Sequence, residues 1–202
     1  MARLRSAGGD RSAPPAELPT DVDDREPNSD PETVARTICL KLLTMRARTR
    51  AELADALVAR AVPQAASTAV LDRLTEVGLV DDAAFAAGFV SSRMHDRGLA
   101  LREISRQLRD KGVDDPVIAA TVASIEPADE TDIARKLVAR KLRSMTSLAP
   151  EVTTRRLVGM LARKGYSPGV AFRIVRDVIG AVDDESAADE THGSLDRVPE
   201  RS

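Results

Sequence analysis

Residues 78–98 read GLVDDAAFAAGFVSSRMHDRG, and their spacing decides the fold. Phe85, Phe89 and Arg93 stand four residues apart, so at about 100° per residue they lie along one narrow helical stripe. Two aromatic rings on such a stripe belong to a buried face. A guanidinium continuing the same stripe needs a reason of its own.

The pattern recurs twice in the chain. Ile38, Leu42 and Arg46, with Leu43 alongside, repeat Phe85, Phe89 and Arg93 with Val90 alongside, and Ile133, Leu137 and Lys141 with Val138 repeat them again, at offsets of 47 and 48 residues. Each opening is followed by a second amphipathic segment that ends on a small residue: Leu53, Leu57, Ala61; Ile104, Leu108, Gly112; Leu157, Leu161, Gly165. A third apolar pair lies beyond each small residue, at Leu71 and Leu74, Val122 and Ile125, and Val175 and Val178. One period is therefore one three-helix unit. No stretch sustains the period-two alternation of a strand, so the fold class is all-α, with three tandem three-helix repeats over 34–80, 81–128 and 129–181 forming an elongated, curved array.

Boundary residues agree with this division. Asp30 before Pro31 reads as an N-cap with proline at the first helical position, Asp81 and Asp82 as caps of the second unit, and Thr131 or Glu130 as the opening of the third. Gly112 and Gly165 fall where a helix terminates in a left-handed residue. Ala61 takes that place in the first unit, where a different turn, assisted by Pro63, is expected.

Charge is segregated along the 202 residues, whose formal net charge is only −2. Residues 1–33 hold four arginines against eight acids and residues 181–202 two against seven, which leaves +7 on the middle. Both ends are also poor in large apolar residues, so burial cannot offset their ordering entropy. Segments 1–33 and 182–202 are expected to be disordered acidic tails. Aromatics make up 2% of the chain, so the core must be built from Ala, Val, Leu and Ile. No secretory h-region or long apolar run is present, and a soluble cytoplasmic protein is expected.

Catalytic chemistry has no visible seat. His95 and His192 are far apart and lack neighbours at metal-ligand spacing. Cys39 occupies the register of Ala86 and Ala134 and reads as a small core hydrophobe. Tyr166 follows Gly165 as Val113 follows Gly112, a packing position. Gly8 and Gly9 lack the Lys-Ser/Thr partner of a phosphate loop. The expectation is a protein without catalysis, cofactor or metal.

The cations that end the stripes, Arg46, Arg93 and Lys141, fit two accounts. Each stands near the negative end of its helix dipole, with an aliphatic stem that can cover the bundle. Arrayed units would equally present arrayed cations to a repeating anionic partner.

Asp81, Asp82, Phe85, Ala86, Arg93 and Gly98, with the following LREISRQLRDKGV, stand at the spacing of a known family: the stretch resembles the RecX regulatory proteins over about residues 35–180, most specifically in the second unit. Phe89 belongs to the same motif. The resemblance implies a modulator that binds the RecA–DNA filament and restrains ATP hydrolysis, strand exchange or filament growth. A monomer is expected, with RecA as partner and DNA as a further partner bound weakly and without sequence preference. Candidate contacts to RecA or DNA are Arg46, Arg93, Arg97, Arg102, Lys111, Arg140, Lys141, Arg156 and Lys164. A helix-turn-helix DNA-binding module and a helical adaptor are the alternative functions.

Overall fold

The computed structural model describes residues 30–145 and 148–193, with side chains described through residue 181. Among the described residues there are nine helices and no strand: α1 (Pro31–Met45), α2 (Arg50–Val58), α3 (Gln64–Glu76), α4 (Asp82–Arg97), α5 (Leu101–Asp110), α6 (Asp115–Ala123), α7 (Pro127–Leu142), α8 (Pro150–Arg163) and α9 (Pro168–Gly193). They group in threes, each group around its own core. None of these helices is long and apolar enough to cross a membrane.

The repeat positions are the core positions. Cys39, Ala86 and Ala134 are fully buried at the same register of the first helix in each unit, as are Leu53 and Leu57, Ile104 and Leu108, and Leu157 and Leu161 on the second. Burial in this apolar setting pushes the Cys39 thiol up to about 11.

All three second helices end in one turn. Val62 N–H donates to Leu57 O at 3.1 Å, Val113 N–H to Leu108 O at 3.1 Å and Tyr166 N–H to Leu161 O at 3.2 Å, bridging a left-handed residue with φ of 55° at Ala61, 73° at Gly112 and 96° at Gly165. The different turn expected at Ala61 is thus corrected. The reason the two glycines are required lies in the joints between units. A Cβ on Gly165 would lie 2.5 Å from Glu103 Cβ, and one on Gly112 would collide with Ala51 Cβ; among the described residues no unit precedes unit 1 for Ala61 to strike.

The joints follow one plan. The C-terminal turn of α5 meets the N-terminus of α2: Thr49, wholly buried, accepts from Glu52 N–H at 3.0 Å and donates to Lys111 O at 2.7 Å. The C-terminal turn of α8 meets the N-terminus of α5 in the same way, where Ala100 N–H donates to Lys164 O at 2.9 Å. Negative helix ends therefore abut positive ones. An acid three residues before the second and third stripes completes each joint: Asp82 accepts from Arg50 N–H at 2.9 Å and Glu130 from Leu101 N–H at 2.8 Å.

Three further expectations change. Asp81 does cap α4, accepting from Ala84 N–H at 2.9 Å, whereas Asp82 and Glu130 cap the preceding unit's second helix rather than their own. The third unit opens at Pro127, not at Glu130 or Thr131, because proline supplies the first helical position behind Glu126. At the other end α9 runs to Gly193, so residues 182–193, His192 included, are helical and not an unstructured tail; a helix already formed propagates far more easily than it nucleates. Pro31–Thr33 likewise belong to α1, with Asp30 accepting from Thr33 N–H at 3.3 Å. The remainder of the expected tails, 1–29 and 194–202, lies outside the described residues.

Register alignment through Gly112 and Gly165 sets Leu101 against Thr154, yet α8 begins at Pro150. Its N-terminus therefore carries one additional turn.

Candidate anion-binding surface

α4 is held between both joints, and its stripe joins them. Phe85 and Phe89 stack with ring centroids 5.8 Å apart. Lys111, from the first joint, sets its ammonium 5.8 Å from each ring centroid and 2.7 Å from Glu52 Oε1. Arg46 shares that carboxylate, at 3.0 Å. Burial pushes the Glu52 carboxyl up, and the hydrogen bonds from Arg46 and Lys111 outweigh it, so the group rests below its ordinary range.

Further along the stripe, the Arg93 guanidinium lies over the Phe89 ring at 4.7 Å. This arrangement explains the charge on an apolar stripe: a guanidinium is attracted to the ring face while its stem covers the helix. Its Nε is buried without a hydrogen-bond partner. Burial, then repulsion from Arg97, lowers its pKa.

One turn on, the stripe opens into a cleft of about 620 Å³ at the second joint, lined on its charged side by Asp96, Arg97, Arg140, Lys141 and Lys164. Four cations face one acid there. Gly98, at φ 60°, makes the joint possible, since a side chain would run into Leu137. Lys164 donates from Nζ to Arg97 O, and its pKa is lowered by burial and then by Arg140. Crowded like charges of this kind favour an anionic ligand, which relieves their mutual repulsion.

The candidate contacts thus divide. Arg97, Arg140, Lys141 and Lys164 converge on the cleft, and Arg93 and Lys111 continue it along α4. Arg46 is engaged with Glu52. Arg102 and Arg156 are exposed on α5 and α8, outside the cleft lining. In the motif, Ala86 is fully buried and Phe85 and Phe89 half-buried against the second core.

The joint-forming roles of Asp82, Glu130 and Thr49 escaped the sequence reading. A signal existed for the two acids: both stand three residues before the stripe, while the first unit, which follows no other repeat among the described residues, has Ala35 there. Among the described residues no group of three or more His, Cys, Asp and Glu side chains is placed to hold a metal ion.

Comparison with known proteins assigns all three units. Residues 35–74 match "RecX, first three-helix domain", 81–122 "RecX, second three-helix domain" and 128–175 "RecX, third three-helix domain". Regulatory protein RecX of Streptomyces lividans is 49% identical over 167 residues, covering 83% of this chain and 87% of the relative. That of Thermobifida fusca is 51% identical over 147 residues, 73% of this chain and 80% of the relative. The crystal structure of RecX from Lactobacillus salivarius superposes with a TM-score of 0.67 at 18% identity, over 74% of this chain and 97% of that one; this last likeness concerns the fold alone.

Proposed function

The chain belongs to the RecX family, and on that premise we propose that it is a monomeric regulator that binds the RecA–DNA filament and lowers RecA activity without chemistry of its own. The observation that carries this reading is the match of all three units to the family's domains. The four-cation cleft supports it, because a filament on DNA offers anionic groups at regular intervals, as phosphates and as acidic side chains. Arg97, Arg140, Lys141 and Lys164 are the contacts of this reading, and Arg93 and Lys111 extend them along α4.

The test is RecA ATPase on single-stranded DNA with rising amounts of this protein. A ligand that interrupts filament growth affects many subunits per molecule, so inhibition is expected well below one molecule per RecA subunit. A requirement for stoichiometric protein, or inhibition that vanishes once DNA is in excess, would refute the filament mechanism in favour of competition for DNA. Arg97→Met with Lys164→Met should raise the half-inhibitory concentration while helicity is unchanged.

A further inference from the structure

The outward face of α9 differs from those of the other third helices. Gly169, Phe172, Arg173, Arg176 and Gly180 lie at helical spacing on one side, opposite the buried Ala171, Ile174 and Val175. Phe172 is 53% exposed. It is the single aromatic ring so open among the described residues, since Phe85 and Phe89 pack on the second core and Tyr166 is buried. Nothing lies within 4 Å of a Cβ built on Gly169 or Gly180, so the face is low at both ends and a flat partner can come close.

The arginines around it are open to an anion. In units 1 and 2, Arg46, Arg50, Arg73, Arg106 and Arg109 each have a carboxylate within 4 Å, while others such as Arg36, Arg60 and Arg102 have none among the described residues. Among the described residues Arg173 and Arg176 have none, and neither do Arg155, Arg156 and Arg163 on the adjoining α8. The exposed faces of α3 and α6 offer no comparable combination: α6 shows Asp115, Ala119 and Ala120, and Arg73 of α3 is paired with Glu76.

We propose that this face of α9 binds single-stranded nucleic acid, with Phe172 stacking on an unpaired base and Arg173 and Arg176 meeting the flanking phosphates. A duplex presents base edges in its grooves and hides base faces, so an open ring gains most from a strand whose bases are unstacked. A protein partner fits less well, because an interface anchor needs extensive apolar surroundings to exclude water, and on this face only Pro168 and the half-buried Ile179 stand beside the ring among Gly169, Arg173 and Arg176. None of these three residues lines the α4 track or the cleft, and the binding is independent of RecA.

The experiment is fluorescence anisotropy of the full chain with labelled oligo-dT, and with a duplex of equal length, at several salt concentrations and without recombinase. Phe172→Ala should weaken oligo-dT binding roughly five- to a hundred-fold with an unchanged salt slope, and duplex binding much less. Phe172→Tyr should restore it, whereas Phe172→Leu, apolar but not flat, should not. Arg173→Met and Arg176→Met should each make the salt slope shallower by about 0.7. All these side chains are exposed, so wild-type circular dichroism is expected throughout. Absence of oligo-dT binding, equal loss on duplex and single strand, or restoration by Leu would overturn the proposal. So would variants that bind DNA normally but no longer inhibit RecA, which would make the face a protein contact.

Discussion

Gly112→Ala strikes the joint between units 1 and 2 at its tightest point. Two costs arise. Alanine at φ 73° sits in the left-handed region at roughly 1–2 kcal/mol. Its new Cβ would also press into Ala51 Cβ, and ordinary carbon contacts are about 3.5–4.0 Å, so the joint must part by more than an ångström. Overpacking of that kind costs roughly 1–3 kcal/mol, for a total of about 2–5 kcal/mol. Ala61→Gly is the reference, since the same turn exists there without a neighbour; it should stabilise the protein by up to about 1 kcal/mol. Urea denaturation supplies both numbers, and a double-mutant cycle isolates the contact: Ala51→Gly costs about 1 kcal/mol alone but should recover most of the overpacking loss beside Gly112→Ala. A Gly112→Ala cost no larger than the left-handed term alone, or strict additivity in the cycle, would refute a close-packed joint.

Other perturbations probe the track and the core. Arg93→Met removes a cation–π contact worth about 0.5–2 kcal/mol but also the unpartnered Nε, and thioether–ring contact offsets part of the loss by about 0.3–1.5 kcal/mol; thermal unfolding should move little while the salt dependence of filament binding becomes shallower. The Glu103 carboxyl is held down to about 2 by hydrogen bonds from Arg106 and Gln107. A carboxyl depressed on folding stabilises above its unfolded value and loses that contribution as it protonates, so between about pH 5 and pH 2 the wild type should lose stability more steeply than Glu103→Gln. The Tyr166 hydroxyl, raised to about 12 by burial and then by Glu130, should show no tyrosinate absorbance in the folded protein at pH values where free tyrosine ionises. Cys39 should react with thiol reagents only at the rate of unfolding, because the buried thiol is neither exposed nor ionised.

How much of this was legible in the sequence depends on the distance over which each feature is decided. Helical stripes are local, and Ile38, Phe85 and Ile133 declared three units without any tertiary information. The turn at Ala61 was misread because residue preference was the only guide there, whereas the pairing of α2 with α3 imposes a left-handed residue whatever its side chain. An acid at a helix start has one local signature whether it caps its own helix or a neighbour's, so the shared place of Asp82 and Glu130 marks them in the sequence, but which helix they cap follows only from setting α4 and α7 against α2 and α5. The cleft was less visible still. Arg97, Arg140 and Lys164 are spread over three helices, and only the second joint brings them to one place. The α9 face lay in plain view as sequence, but that Phe172 points outward depends on which side of α9 meets α7 and α8.

The joint between units is of the kind that, repeated by one operation, has no natural stopping point: plug enters socket, and the unit that supplied the plug offers a socket in turn. A second molecule could in principle add its first unit to the third unit of another, and so on into a fibre. Both ends of the three-unit array are altered against it. At the plug end Ala61 brings the methyl group that Gly112 and Gly165 must lack, and Ala35 stands where Asp82 and Glu130 deliver their carboxylates. At the socket end the additional turn of α8, Pro150–Thr153, extends beyond the register at which α2 and α5 expose Arg50 and Leu101 N–H to an incoming acid. Neither end of the three-unit array therefore reproduces the joint. Two alanines and a single turn of helix thus separate a discrete array from an open-ended one.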